Sequence, residues 1–145
     1  INLRAKLDEM DRYGWPFGVL FVDLDRFKSI NDQYGHDVGD RVLQMLSRTM
    51  TASVRPFDMA GRWGGEEFLV LAVNAGADEL CVVAERLRIL VAQSSFTEGT
   101  TTIQTTVSVG ATVARADDTA ATLIKRADQL LYLSKEQGRN RVMFG

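Results

Sequence analysis

Arg62-Trp63-Gly64-Gly65-Glu66-Glu67-Phe68 is the stretch on which the fold turns. Strand-like runs flank it, Phe57 to Trp63 before and Glu67 to Asn74 after. Both glycines tolerate positive φ, so Gly64-Gly65 reads as a hairpin turn, and a hairpin demands an antiparallel pair. Further upstream, Phe17 to Leu24 is a short apolar run rich in β-branched and aromatic residues, the pattern of a buried strand. If that run pairs with the strand after the glycines, Asp23 and Glu66 meet at one end of a sheet. Carboxylates beside a glycine-lined gap suit a magnesium–nucleoside triphosphate. The hard cation takes oxygen ligands, and phosphates need backbone close by without side chains in the way.

Working outward, Leu3 to Met10 reads as a helix with Asn2 as N-cap, ended by Gly14 and Pro16. Arg26 to Tyr34 reads as a short helix. Val38 to Val54 is an amphipathic one, its face marked by Val38, Val42, Leu46 and Met50. Asp78 to Gln93 is helical, with Leu80, Val83, Ala84, Leu87, Leu90 and Val91 on one side. Thr101 to Ala114 alternates and reads as one strand, with Gly110 at a bulge. Thr119 to Gln137 is a helix that turns Leu123, Ala127, Leu130, Leu131 and Ser134 inward and is capped by Gly138. Arg141 to Phe144 is a last edge strand. Helices against an antiparallel or mixed sheet place the chain in the α+β class.

The chain has 145 residues, 46% apolar and 25% charged, enough for one domain with a real core. Its net charge is −2, from 17 basic and 19 acidic residues, which gives no general reason to expect nucleic-acid binding. One cysteine, Cys81, has no internal disulfide partner and fits a reducing cytosol. No apolar run approaches a membrane span, so no membrane contact is expected of this domain. An opening on Ile1-Asn2, without methionine, is read as that of a domain excised from a longer, multidomain protein.

Several motifs admit two readings. A carboxylate at the end of an apolar strand is costly unless paired, hydrated or metal-bound, which singles out Asp23. Asp25 reads most simply as a cap on the next helix. A calcium loop is excluded: counted from Asp23, the sixth position is Lys28 rather than glycine and the twelfth Tyr34 rather than glutamate. Lys28 can meet phosphate. Asn31 and Asp40 can hydrogen-bond a base edge, and an aspartate accepts from guanine's two N–H donors but cannot do so from adenine, yet residue by residue a cap on the next helix, by Asp37 or Asp40, is the simpler reading. His36 is the only histidine and reads first as structural. Glu66 and Glu67, adjacent at the start of a strand, face opposite sides and need not do the same job. Arg55 and Asp58 form either a weak surface pair or an anion-binding corner. Lys135, Arg139 and Arg141 either compensate a helix dipole or clamp a triphosphate. Phosphate-loop, dinucleotide and acyl-transfer signatures are absent.

Taken together, five blocks in order resemble the GGDEF domain, the diguanylate cyclase family. They are Phe21 to Asp32, Tyr34 to Asp40, Arg62 to Phe68 in the Glu-Glu form, Val107 to Gly110, and Arg126 to Arg141. The resemblance implies a five-stranded, mainly antiparallel sheet flanked by helices, similar to the nucleotidyl cyclase and polymerase palm. It implies that two GTP are joined into cyclic di-GMP with release of two pyrophosphates. Each domain would hold one GTP, so a homodimer would act. By position, Asp23, the Leu24 carbonyl and Glu66 would hold Mg²⁺ or Mn²⁺. Glu66 or Glu67 would help deprotonate the 3′-hydroxyl, and Lys28 would neutralise developing charge. Gly64, Gly65, Lys135 and Arg139 would take the phosphates, and Asn31 and Asp40 the guanine, with His36 nearby. Arg55 and Asp58 have the spacing of the family's inhibitory site for cyclic di-GMP, which Arg86 would join. An N-terminal sensory or dimerising region would precede the domain, in the cytoplasm, with the parent protein soluble or membrane-anchored.

The departures are small. Trp63 stands where Tyr or Phe is usual, Ser134 where Ala is usual, and the family's entry motif is missing. Two further readings are a non-catalytic receptor for GTP or cyclic di-GMP, and a looser cyclase that also takes ATP. Asp23, both glycines and both glutamates being present favours catalysis.

Overall fold

Every residue of β1 (Phe17–Leu24) is buried, because the strand lies at the centre of a five-stranded sheet. The structure is a computed structural model and describes residues 1–145. β1 pairs antiparallel with β3 (Glu67–Val73) on one side and with β6 (Val107–Val113) on the other. Outside these lie β2 (Met59–Gly64), antiparallel to β3, and β7 (Val142–Phe144), parallel to β6. The α+β class is as the sequence pattern predicts, and the mainly antiparallel five-stranded sheet is as the resemblance implies.

Period two in β1 divides the core. Phe17, Val19 and Phe21 pack against α1 (Leu3–Tyr13) and α5 (Ala120–Glu136), through residues such as Leu7, Leu123 and Leu131. Leu20, Val22 and Leu24 pack on the other face, among residues of α3 (His36–Ser53) and α4 (Ala77–Gln93) such as Leu46 and Leu87. A fully buried Leu, Val or Phe stabilises the fold by about 1.5–3 kcal/mol, so the two layers hold the sheet from both sides. The same alternation puts Asp23 on the α5 face. α5 is clamped to β6 by Arg126, which donates to Asp118 at 2.6 and 2.9 Å and to Thr112 Oγ1 at 2.7 Å. That guanidinium holds the Asp118 carboxyl well below the usual carboxylate range.

Several boundaries differ from the sequence-based expectation. Thr101 to Ala114 is not one strand. It breaks at Thr105-Thr106 into β5 (Thr101–Gln104) and β6, and β5 pairs with β4 (Ser95–Glu98), a strand the pattern did not reveal. β4 and β5 form a separate two-stranded hairpin outside the main sheet, with Phe96 and Ile103 packed against the core and the threonines left outside it. Gly110 is not a bulge, since it pairs in regular register with Phe21. A side chain there is excluded by α5: a Cβ would stand 2.1 Å from the Ala127 carbonyl oxygen and 2.5 Å from the Leu131 nitrogen. α2 (Phe27–Tyr34) starts one residue late, behind Arg26 at φ 56°. α3 starts at His36 after Gly35, with neither Asp37 nor Asp40 as its N-cap. β2 starts only at Met59, after a turn in which Asp58 donates its N–H to Arg55. Leu90 is exposed rather than inward. Asn2 and Gly14 cap α1 as expected.

Gly110→Ala is therefore expected to lower stability by on the order of 3 kcal/mol, because backbone rather than a flexible side chain must move. Urea unfolding at an unchanged slope would show it, and an unchanged midpoint would contradict this account of the α5–β6 contact.

Candidate active site

At the C-terminal end of β1, Asp23 stands opposite Glu67 in the register, and Leu24 donates its N–H to the Glu66 carbonyl. The turn that brings them together is Gly65-Glu66 rather than Gly64-Gly65. Gly64 already pairs with Glu67, and Trp63 is the extra residue of a bulge. Gly65 alone of the two glycines has positive φ, 54°. Period two puts Glu67 on the α5 face with Asp23, while Glu66 sits in the turn. So three carboxylates gather at one sheet end, on two structural supports.

Their electrostatics follow from burial. Asp23 is 4% exposed. Loss of water pushes its carboxyl above the usual range, more than the ammonium of Lys135, which donates to it from the last turn of α5, pulls it down. Glu67 is also raised, first by burial and then by the charge of Asp23. One oxygen of Asp23, Oδ1, is buried and has no hydrogen-bond partner. A buried anionic oxygen with nothing to accept from is a costly arrangement unless a ligand completes it.

On the other face of the sheet, α2 and α3 meet. Gly39 lies against Asn31: a Cβ at Gly39 would stand 1.8 Å from Asn31 Oδ1, which is buried and likewise unpartnered. Asp40 is exposed and lines a cleft of about 410 Å³ together with Leu43, Gln44, Ser47, Arg62 and Phe68. Lys28 and His36 are exposed nearby in sequence, and neither forms an ion pair within the chain. The capping role open to Asp40 is not used.

Asp25 does not cap α2. Its carboxylate is 5% exposed and accepts from Thr106 Oγ1 and Ser108 Oγ, each at 2.6 Å, and from the Asn140 N–H at 3.0 Å. Thr106, Ser108 and Asn140 were not legible as partners, because the β1–β6 pairing brings the first two to Asp25 and the turn between α5 and β7 brings the third. Arg139 sits in that same turn, half-buried, after Gly138 at φ 121°.

Arg55 and Asp58 lie at the opposite end of β3. They are not a loose surface pair. Asp58 is buried and accepts from Arg55 Nε at 2.9 Å, Arg55 Nη2 at 3.0 Å and the Val73 N–H at 3.1 Å. Arg86 reaches the same corner from α4, donating to the Ser53 carbonyl at 3.4 Å.

No three acidic, histidine or cysteine side chains converge into a protein-only cage for a metal. Mg²⁺ does not ask for one. It keeps water and phosphate oxygens and takes one or two carboxylates. The unpartnered Asp23 Oδ1 beside Glu66 fits that demand.

Residues 2–141 match the family described as "Diguanylate cyclase, GGDEF domain". The chain belongs to the GGDEF domain family. It is 42% identical over 125 residues to diguanylate cyclase A of Treponema denticola, covering 86% of this chain and 34% of that protein. It is 39% identical over 133 residues to the response regulator PleD of Caulobacter vibrioides, covering 90% of this chain and 29% of PleD. The chain thus spans about a third of the length of these curated relatives. Among solved structures, the GGDEF domain of DgcB from Caulobacter crescentus, in complex with c-di-GMP, superposes with a TM-score of 0.92 at 30% identity, covering 98% of this chain and 85% of that one. The palm-like sheet implied by the resemblance is the sheet observed.

For this GGDEF domain the raised Asp23 has a testable consequence. A carboxyl whose folded pKa lies above its unfolded value loses stability as pH rises from the ordinary carboxylate range through the raised value. Above that window and in chelator, Asp23→Asn, which keeps an acceptor for Lys135, is expected to melt at a higher temperature than the unmutated protein. A lower melting temperature at neutral pH would contradict the dominance of burial.

Proposed function

We propose that this domain condenses two GTP molecules into cyclic di-GMP and releases two pyrophosphates, acting as a homodimer in which each domain holds one GTP. The observation that carries the reading is the buried, unpartnered Asp23 Oδ1 at the sheet end beside Glu66 and Glu67, within a chain of this family. Asp23, the Leu24 carbonyl and Glu66 would hold Mg²⁺ or Mn²⁺. When bound, the ion neutralises phosphate charge and lowers the pKa of the attacking hydroxyl.

The chain's own residues supply the rest. Glu67, with its raised proton affinity, is suited to accept the 3′-hydroxyl proton, and Glu66 is the other candidate. Lys28, Lys135 and Arg139 place positive charge against the triphosphate. Lys135 neutralises Asp23 in this structure, and a cation on Asp23 would free its ammonium for phosphate. Gly64 and Gly65 leave the turn bare, so backbone can approach the phosphates. Asp40, which lines the α3 cleft, and Asn31 on α2 read guanine, with His36 close by in sequence, and the acceptor pair of Asp40 disfavours adenine. The pre-built Arg55–Asp58 corner, joined by Arg86, is the inhibitory site for the product. The DgcB domain was solved with c-di-GMP, which supports binding of that product here. The parent protein carries a sensory or dimerising region ahead of a cytoplasmic domain. No helix of the chain is long and apolar enough to cross a membrane.

Incubation of concentrated protein with GTP and Mg²⁺, followed by mass spectrometry, tests the reading. Cyclic di-GMP is expected from the unmutated protein and none from Glu66→Gln. Binding of GTP without turnover, even after forced dimerisation through a fused coiled coil, would favour the receptor reading instead. In the same assay Arg55→Ala is expected to keep the initial rate and lose the slowing by added cyclic di-GMP. An unchanged inhibition curve would sink the Arg55 assignment.

A further inference from the structure

Arg139 and Asn140 both adopt the left-handed backbone conformation, at φ 64° and 46°. Asparagine visits that region readily. Arginine does so rarely, and two in succession persist only where neighbours hold them. The turn is pinned at several points. The Arg139 N–H donates to the Ser134 carbonyl at 3.0 Å, and Arg88 Nη1 donates to Asn140 Oδ1 at 3.1 Å. The Arg141 carbonyl accepts from Ser134 Oγ at 2.7 Å. One pin differs in kind. The Asn140 N–H donates to Asp25 Oδ2, and Asp25 lies two residues after Asp23. It is the pin that ties the turn to the end of β1. The carboxylate is fixed in its turn by Thr106, just before β6, and by Ser108 on β6, so both of its oxygens are occupied within the chain. It has neither the freedom of a cap nor the open lone pairs of Asp23.

We infer that Asp25 is a positioning residue: through the Asn140 backbone it sets Arg139 at a fixed reach from the Asp23 end of the sheet, and so sets the preference for a triphosphate over a monophosphate. This rests on the proposed assignment of Arg139 to the triphosphate. Cation and guanidinium must engage the same phosphate chain, and the strap between their supports is this one buried carboxylate.

The test is binding of 3′-deoxy-GTP, which lacks the attacking hydroxyl and is not consumed, and of GMP, each with Mg²⁺. Asp25→Ala is expected to weaken 3′-deoxy-GTP by about tenfold, the scale of one charge-assisted contact, and to leave GMP nearly unchanged. Arg139→Ala should do the same, and the double variant should be no worse than Arg139→Ala alone. Asp25→Asn keeps an acceptor for the Asn140 N–H, can donate to Ser108, and should restore triphosphate binding. Equal weakening of both ligands by Asp25→Ala, or additive losses in the double variant, would overturn the inference and leave Asp25 a structural residue. If Arg139→Ala spares discrimination while the unmutated protein shows it, the Arg139 assignment fails and the inference falls with it. If the unmutated protein binds neither nucleotide, the cyclase reading itself fails, and the inference with it. Should Asp25→Ala not fold, Asp25→Ser replaces it, its hydroxyl stopping short of the Asn140 N–H, with the same expected loss.

Discussion

Asp23 is a carboxylate built into the middle strand of a sheet, with neighbours paired on both sides along the strand. Such a group cannot escape to water. It must be neutralised, protonated or coordinated, and each choice constrains what surrounds it. In this structure the ammonium of Lys135 neutralises it partly, and burial still raises its proton affinity. Lys135 can do so only because α5 is clamped along β6. That clamp needs Gly110, which has no room for a side chain, and the Arg126–Asp118 fork. The stability of one helix–sheet contact and the chemistry of the sheet end are thus the same problem.

The alternation of β1 and β3 distributes the work. Residues facing α5 carry Asp23 and Glu67. Beyond the other face, α2 and α3 carry Asn31 and the Asp40 cleft. The turn at Gly65-Glu66 joins the two sides without a side chain in the gap at Gly65. The Arg55–Asp58 corner sits at the far end of β3, buried and already hydrogen-bonded. A ligand there would act on the active end through the sheet or through a second copy of the domain, not by contact.

Much of this was legible in the residues. The apolar run ending in Asp23, the glycine pair before two glutamates, and the face marked by Val38, Val42, Leu46 and Met50 each follow from local chemistry. The calcium-loop reading could be rejected on Lys28 and Tyr34. What stayed hidden depends on pairing. Asp25 resembles a helix cap in sequence, and only the β1–β6 register and the turn before β7 show it gripping Thr106, Ser108 and Asn140. Gly110 resembles a bulge until α5 is laid over it. The β4–β5 hairpin escaped because its polar, threonine-rich strands send only Phe96 and Ile103, paired with each other, into the core, one apolar residue in each four-residue strand. Arg55 and Asp58, three apart, look like a weak surface pair until the Val73 N–H is found to share the carboxylate.

On the function proposed above, the unpartnered oxygen of Asp23 would take a cation that arrives with a nucleotide. Crystals grown with Mn²⁺ and 3′-deoxy-GTP, measured by anomalous scattering, test it most directly. The account predicts a metal peak about 2.1 Å from Asp23 Oδ1, shared with Glu66 and phosphate oxygens, and Lys135 moved from Asp23 to phosphate. A nucleotide bound with Lys135 still on Asp23, and with no metal between Asp23 and Glu66, would contradict it.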